Sequence, residues 1–197
     1  MGTRTRTSQP LLIRITHWIC VPVLAVMAMS GLEILRAYPY FGPVGAPWTW
    51  VPLSGWEAPS WLRAGGWLAG ARQLHLALAW VLVANALVYV AYLVVSGEWR
   101  RRYGRLRRAP YALGLGLGAL EVLSGLALWK PVQLHRLTFV LGGYDSARVI
   151  HFLAMLGLAA LVLGHVIAAA VRWRSILQMI TGGTSEAAEE TTPDATT

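Results

Sequence analysis

Four long apolar stretches divide the chain, and their polar interruptions carry most of the information. The first runs from about residue 12 to 35 and is broken by Arg14, His17, Pro22 and Glu33. The second, residues 74 to 95, is broken only by His75 and Asn85. The third, residues 111 to 129, follows Pro110, contains Glu121 and stops at Lys130 and Pro131. The fourth, residues 149 to 171, holds His151 and His165 as its strongly polar positions. A helix needs about 20 mostly apolar residues to cross the hydrocarbon layer, where only intrahelical bonds satisfy the backbone. Each stretch is therefore expected to be a membrane-spanning helix. The first runs on too long for a signal peptide and shows no small-residue cleavage site, so it is expected to stay in place.

Composition points the same way. Of 197 residues, 56% are hydrophobic and 13% charged, about half the charge of a typical soluble domain. The single cysteine, Cys20, excludes a disulfide framework, a four-thiolate site and the Cys-x-x-Cys-His attachment of a covalent haem. A net charge of +8 in a soluble protein would suggest nucleic acid. Here the arginines cluster at the ends of apolar runs: Arg4 and Arg6, six from Arg100 to Arg108, and Arg172 with Arg174. In an up-and-down arrangement all three clusters fall on one side, and the excess of positive charge marks that side as cytoplasmic.

The expected fold is an all-α, transmembrane four-helix up-and-down bundle with both termini in the cytoplasm. Residues 1–11 read as a cytoplasmic tail and residues 12–174 as the bundle. Residues 175–197 read as an acidic, largely disordered cytoplasmic tail. The periplasmic linker over residues 36–70 holds five Pro and five Trp, the pattern of a segment lying along the headgroup layer; a docking surface for an external partner is the alternative. Gly114, Gly116, Gly118 and Gly125 thin the third helix, and Gly157 and Gly164 the fourth. Small residues there admit either a neighbouring helix or a flat cofactor.

Four of the five histidines lie in spans, where an ionisable side chain is costly and marks a function. His151 and His165 are fourteen residues apart on one helix, within about 40° of the same face and roughly 21 Å apart along the axis. That separation is too large for one metal ion and suits two planar cofactors stacked across the bilayer. His17 matches His165 in depth near the inner boundary, and His75 matches His151 near the outer one. Two imidazoles facing each other across a bundle hold a six-coordinate haem iron, which favours electron transfer over oxygen binding. Three repeats of Arg-x-x-His, at Arg14 and His17, Arg72 and His75, and Arg148 and His151, place an arginine one turn nearer the surface on roughly the same face. A bidentate guanidinium there suits a haem propionate; Arg172 occupies the corresponding position beyond His165. A lone intramembrane His reads as a hydrogen-bonded packing residue, but pairing in depth together with the repeated arginine favours ligation. His135, beside Arg136, fits neither pair and reads as a loop residue.

The pattern resembles the bacterial cytochrome b-561 and nickel-iron hydrogenase cytochrome b group over about Arg14 to Arg174. The resemblance rests on Arg14-Ile15-Thr16-His17-Trp18 with Gly31-Leu32, and on His75 with Ala79-Trp80 and Ser96-Gly97-Glu98-Trp99-Arg100. Ser146 to Phe152 and Gly164-His165 complete it. Residues 31–40 and 142–148 are similar to small cytochrome b/b6-type subunits that partner a periplasmic molybdopterin or thiosulfate-reductase-like oxidoreductase. The loop from Gly97 to Pro110 is shorter than in many relatives. The resemblance implies two b haems on the matching histidines and electron exchange between the quinone pool and a partner subunit, in the bacterial inner membrane. Glu121, the only acidic residue deep in a span, is the candidate proton acceptor at a quinone site, with a bond to Ser124 or a neighbouring helix as the alternative. Two rival readings stay open: a structural anchor without haem, and an intramembrane metal-binding protein. The second is disfavoured by the separation of the histidines and by the lack of a His-Glu-x-x-His sequence.

Overall fold

The computed structural model describes residues 9–42, 51, 57–98 and 105–182, with side chains omitted at 105–109 and 174–175. Six α-helices occur among them. They are α1 (Leu11–Ala37), α2 (Leu68–Val95), α3 (Arg105–Trp129), α4 (His135–Val140), α5 (Tyr144–Val171) and α6 (Trp173–Thr181). A short 3-10 turn, Ser60–Leu62, precedes α2. Helices α1, α2, α3 from Pro110, and α5 are long and apolar enough to cross a membrane. The all-α fold with four spanning helices is thus as expected.

The helices form two antiparallel hairpins. α1 packs along α2, and α3 along α5. Asn85 Nδ2 donates to the Thr16 carbonyl at 2.9 Å and lies 3.1 Å from Cys20 Sγ, which sets the register of the first hairpin. Between the hairpins, Trp80 and Trp129 meet edge to face at 5.9 Å. Fully buried positions are small: Ser30, Ala71, Ser124, Ala127 and Ala147. Leu87, Val94, Leu163 and Ile167 stand exposed on the outside. Small residues inside and large apolar ones outside are the arrangement that lipid favours, because helices in hydrocarbon gain from close backbone approach rather than from hiding Leu.

Several boundaries move. α2 begins at Leu68 rather than 74, α3 at Arg105 rather than 111, and α5 at Tyr144 rather than 149. The hydrophobic run marks only the part of a helix inside hydrocarbon, and its polar first turns continue beyond it. α5 starts after Gly142 and Gly143, whose φ values of 80° and 94° are open to glycine. His135 heads the short helix α4 instead of standing in a loop. Residues 175–181, expected within a disordered tail, belong to α6. Its apolar positions Trp173, Ile176, Leu177 and Ile180 follow helical spacing, and Met179 packs on Ile13 and Leu93. Residues 1–8 of the tail expected over 1–11, and the remainder after Gly182, lie outside the described residues. So do much of the Trp-rich linker and Trp99 to Gly104.

At the C-terminal end of α1, Glu33 is buried and bridges Arg36 at 2.7 Å and Arg63 at 3.2 Å. Ala64 N donates to Met29 O at 3.2 Å. The end of the linker is thereby fastened beside Ser30. Gly65, at φ 101°, lies so near the start of α2 that a Cβ would stand 2.4 Å from Ala71 Cα. No larger residue fits this contact.

Candidate functional site

The hairpins bring the four span histidines together in two layers. His17 of α1 faces His165 of α5 with ring centroids 5.9 Å apart. His75 of α2 faces His151 of α5 at 6.3 Å. In both pairs the rings are steeply inclined, at 67° and 69°. The layers are fourteen residues apart on α5, about 21 Å of helix. These are the pairs expected from depth.

The layer of His75 and His151, expected on the outer side, is the more elaborately supported. Ser30 Oγ lies 3.0 Å from His75 Nδ1, and the Met27 carbonyl 3.1 Å from the same nitrogen. Ser124 Oγ lies 3.0 Å from His151 Nδ1, and Glu121 Oε2 2.7 Å from it. A carbonyl can only accept, so Nδ1 of His75 carries the proton and leaves the Nε2 lone pair open. Each serine hydroxyl is itself anchored to its own helix, Ser30 to Met27 O at 3.0 Å and Ser124 to Leu120 O at 2.6 Å.

The two supports repeat one design. α1 carries Ser30-Gly31 and α3 carries Ser124-Gly125. In each hairpin the serine holds the histidine of the partner helix while the glycine lets its ring approach. A Cβ on Gly31 would meet His75 Cε1 at 3.7 Å, and one on Gly125 would meet His151 Cε1 at 3.3 Å. Three residues before each serine stand Met27 and Glu121. Sequence reading missed Ser30 and the part played by Ser124. The signal was the Ser-Gly dipeptide recurring in two spans, each opposite a histidine near the outer boundary.

The remaining site residues are placed as follows. Glu121 meets His151 through Oε2, and its buried Oε1 has no hydrogen-bond partner among the described residues. Arg14 Nε donates to Met179 O at 3.1 Å and its Nη2 to Ile180 O, at the end of α6. Arg148 donates to Tyr40 O at 2.7 Å and Tyr38 O at 2.9 Å, with its guanidinium over the Tyr38 ring. Arg72 and Arg172 are exposed, near the start of α2 and after the end of α5. Two of the four arginines expected beside propionates thus hold backbone carbonyls.

The geometry suits haem. An imidazole nitrogen lies roughly 1.1 Å from its ring centre and bonds a metal at about 2.0 Å, so two axial rings have centres roughly 6 Å apart. Among the described residues no group of three or more His, Cys, Asp or Glu stands together as a metal site. Each pair of histidines could offer two ligands to a haem iron, whose remaining ligands a porphyrin would supply.

Residues 8–182 match the family described as prokaryotic cytochrome b561. The chain belongs to that family. A curated relative from Azospira oryzae, which carries the name of a protein-methionine-sulfoxide reductase subunit, YedZ1, is 33% identical over 201 residues. The match covers 88% of this chain and 95% of the relative. No solved structure matches. As a cytochrome b561 with four apolar helices, the chain is a multi-pass b-type cytochrome of the bacterial inner membrane, and its work is electron transfer.

Proposed function

We propose that the chain holds two b haems, the inner on His17 and His165 and the outer on His75 and His151. It carries electrons across the membrane between quinone and a periplasmic redox subunit. The observation that carries this reading is the spacing of the two histidine pairs, 5.9 and 6.3 Å between ring centres. When bound, the haem irons supply a one-electron redox change with no open coordination position. The chain supplies the rest. Ser30, Met27 O, Ser124 and Glu121 fix the tilt and tautomer of the outer rings. Arg72, near the His75–His151 layer, and Arg172, near the His17–His165 layer, would meet propionates where these reach water, while Arg14 and Arg148 hold backbone carbonyls.

The arginine clusters support a cytoplasmic position for both termini, with the His75–His151 pair toward the periplasm. A partner is supported by the relative's name as a reductase subunit. Its chemistry is taken as a molybdopterin oxidoreductase from the resemblance of residues 31–40 and 142–148. Purified with haem supplied, the protein shows a b-type α band in its dithionite-reduced minus oxidised spectrum. Pyridine haemochrome analysis returns two haems per chain. One haem, or none, overturns the assignment. A short-chain quinol reduces the bound haem; failure to do so removes quinone from the reading and leaves the haem assignment standing.

A further inference from the structure

The two halves of the outer layer share a Ser-Gly pair and differ in what stands three residues before it. On α1 the residue three before the serine is Met27, which offers His75 only its backbone carbonyl. On α3 the equivalent residue is Glu121, whose carboxylate reaches His151 Nδ1 at 2.7 Å. Serine and glycine are otherwise repeated. Burying a carboxylate within a span is expensive. Its second oxygen, Oε1, is buried with no hydrogen-bond partner among the described residues. The side chain is therefore not there to complete a polar network of its own. Its described contact is with the histidine.

We propose that Glu121 is a positioning residue for His151 that sets the redox poise of the outer haem. Its carboxylate accepts the Nδ1–H of His151, fixes the ring with Nε2 toward the iron and makes that nitrogen a stronger donor. A more basic axial ligand, with a negative charge behind it, stabilises ferric over ferrous iron and lowers the reduction potential. Among the described residues, the partners of His75 are Ser30 and the Met27 carbonyl, with no carboxylate in the corresponding place. One of the two outer ligands is thus tuned by a neutral carbonyl and the other by an anion. This role, exerted on the ligand through Oε2, is separate from proton exchange with quinone. The inference rests on the proposed haem ligation.

The test is a redox titration of the full-length protein in detergent, read at the α band, for wild type, Glu121→Gln and Glu121→Asp. Gln keeps the shape and an acceptor oxygen but removes the charge. The expected result is two haems in Glu121→Gln, with the midpoint of one component moved upward and the other unchanged. Glu121→Asp stays nearer wild type than Gln does. Two haems with neither midpoint moved, or both moved equally, overturns the role of Glu121 and leaves the haem assignment intact. Should Glu121→Gln lose a haem, its retention in Glu121→Asp supports the carboxylate's role, and its loss there too overturns it in favour of packing alone. A wild-type protein without a b-type spectrum overturns the haem assignment itself, and this inference with it.

Discussion

His17 and His165 face each other at 5.9 Å although they come from the first and last spanning helices. If they share one iron, their losses are not additive. His17→Ala and His165→Ala each lower the haem content from two to one per chain, and the double variant still holds one. His17→Ala combined with His151→Ala holds none, because it breaks both pairs. Pyridine haemochrome analysis of the four proteins decides it. A double variant His17→Ala/His165→Ala with no haem, or singles with both, sinks the pairing.

The glycines behind the outer rings offer a graded test of packing. A Cβ on Gly31 would meet His75 at 3.7 Å, an ordinary contact, whereas one on Gly125 would meet His151 at 3.3 Å and require a small shift. Gly31→Ala leaves haem content and spectrum as in wild type. Gly125→Leu, whose branch would occupy the space of the ring, displaces His151 and lowers haem content to one. Equal effects at the two positions would show that the glycines serve only helix packing.

Asn85 is the polar tie within the first hairpin, donating to the Thr16 carbonyl at 2.9 Å. Interhelical hydrogen bonds in membranes contribute about 0.6 kcal/mol on average and up to about 1.7. Asn85→Leu should destabilise by an amount within that range, measured as a lower midpoint of denaturation in detergent. Both haems are retained, since Asn85 touches neither histidine pair in the described contacts. A loss well beyond this range would mean that Asn85 supports more than helix register.

What could be read from the sequence followed the periodicity of the solvent. Four hydrophobic runs gave the spans, and the fourteen-residue interval between His151 and His165 gave two layers, because rise and rotation along one helix are fixed. His17 and His75 could be assigned to layers by depth alone. Contacts that depend on how one helix sits against another were hidden. Ser30 and the Glu121–His151 contact require the register of α1 on α2 and of α3 on α5. α6 escaped notice because its apolar residues are too few for a span and follow directly on α5. Arg14 and Arg148 were read from their distance to a histidine. Carbonyls at the end of α6 and at Tyr38 and Tyr40, remote in sequence, compete for the same guanidinium groups.

The contact between Arg14 and α6 makes the last prediction. The final carbonyls of a helix lack intrahelical partners and carry the negative end of its dipole. Arg14 supplies donors to two of them, Met179 O and Ile180 O, and Trp18 Nε1 donates to Met179 O at 3.2 Å. The chain leaves α6 through Gly182 at φ 92°, where a Cβ would stand 2.7 Å from the Arg14 guanidinium. Arg14→Ala should therefore loosen α6 from the N-terminal end of α1. With Cys20→Ser and a reporter Ile180→Cys, maleimide labelling in membranes rises several-fold in Arg14→Ala, as expected when hydrogen bonds from a charged donor are lost. Arg14→Lys gives an intermediate rate, because an ammonium keeps the charge but lacks the planar fork that reaches two carbonyls at once. Labelling unchanged in Arg14→Ala would mean that packing of Met179 on Ile13 and Leu93 holds α6 without the arginine.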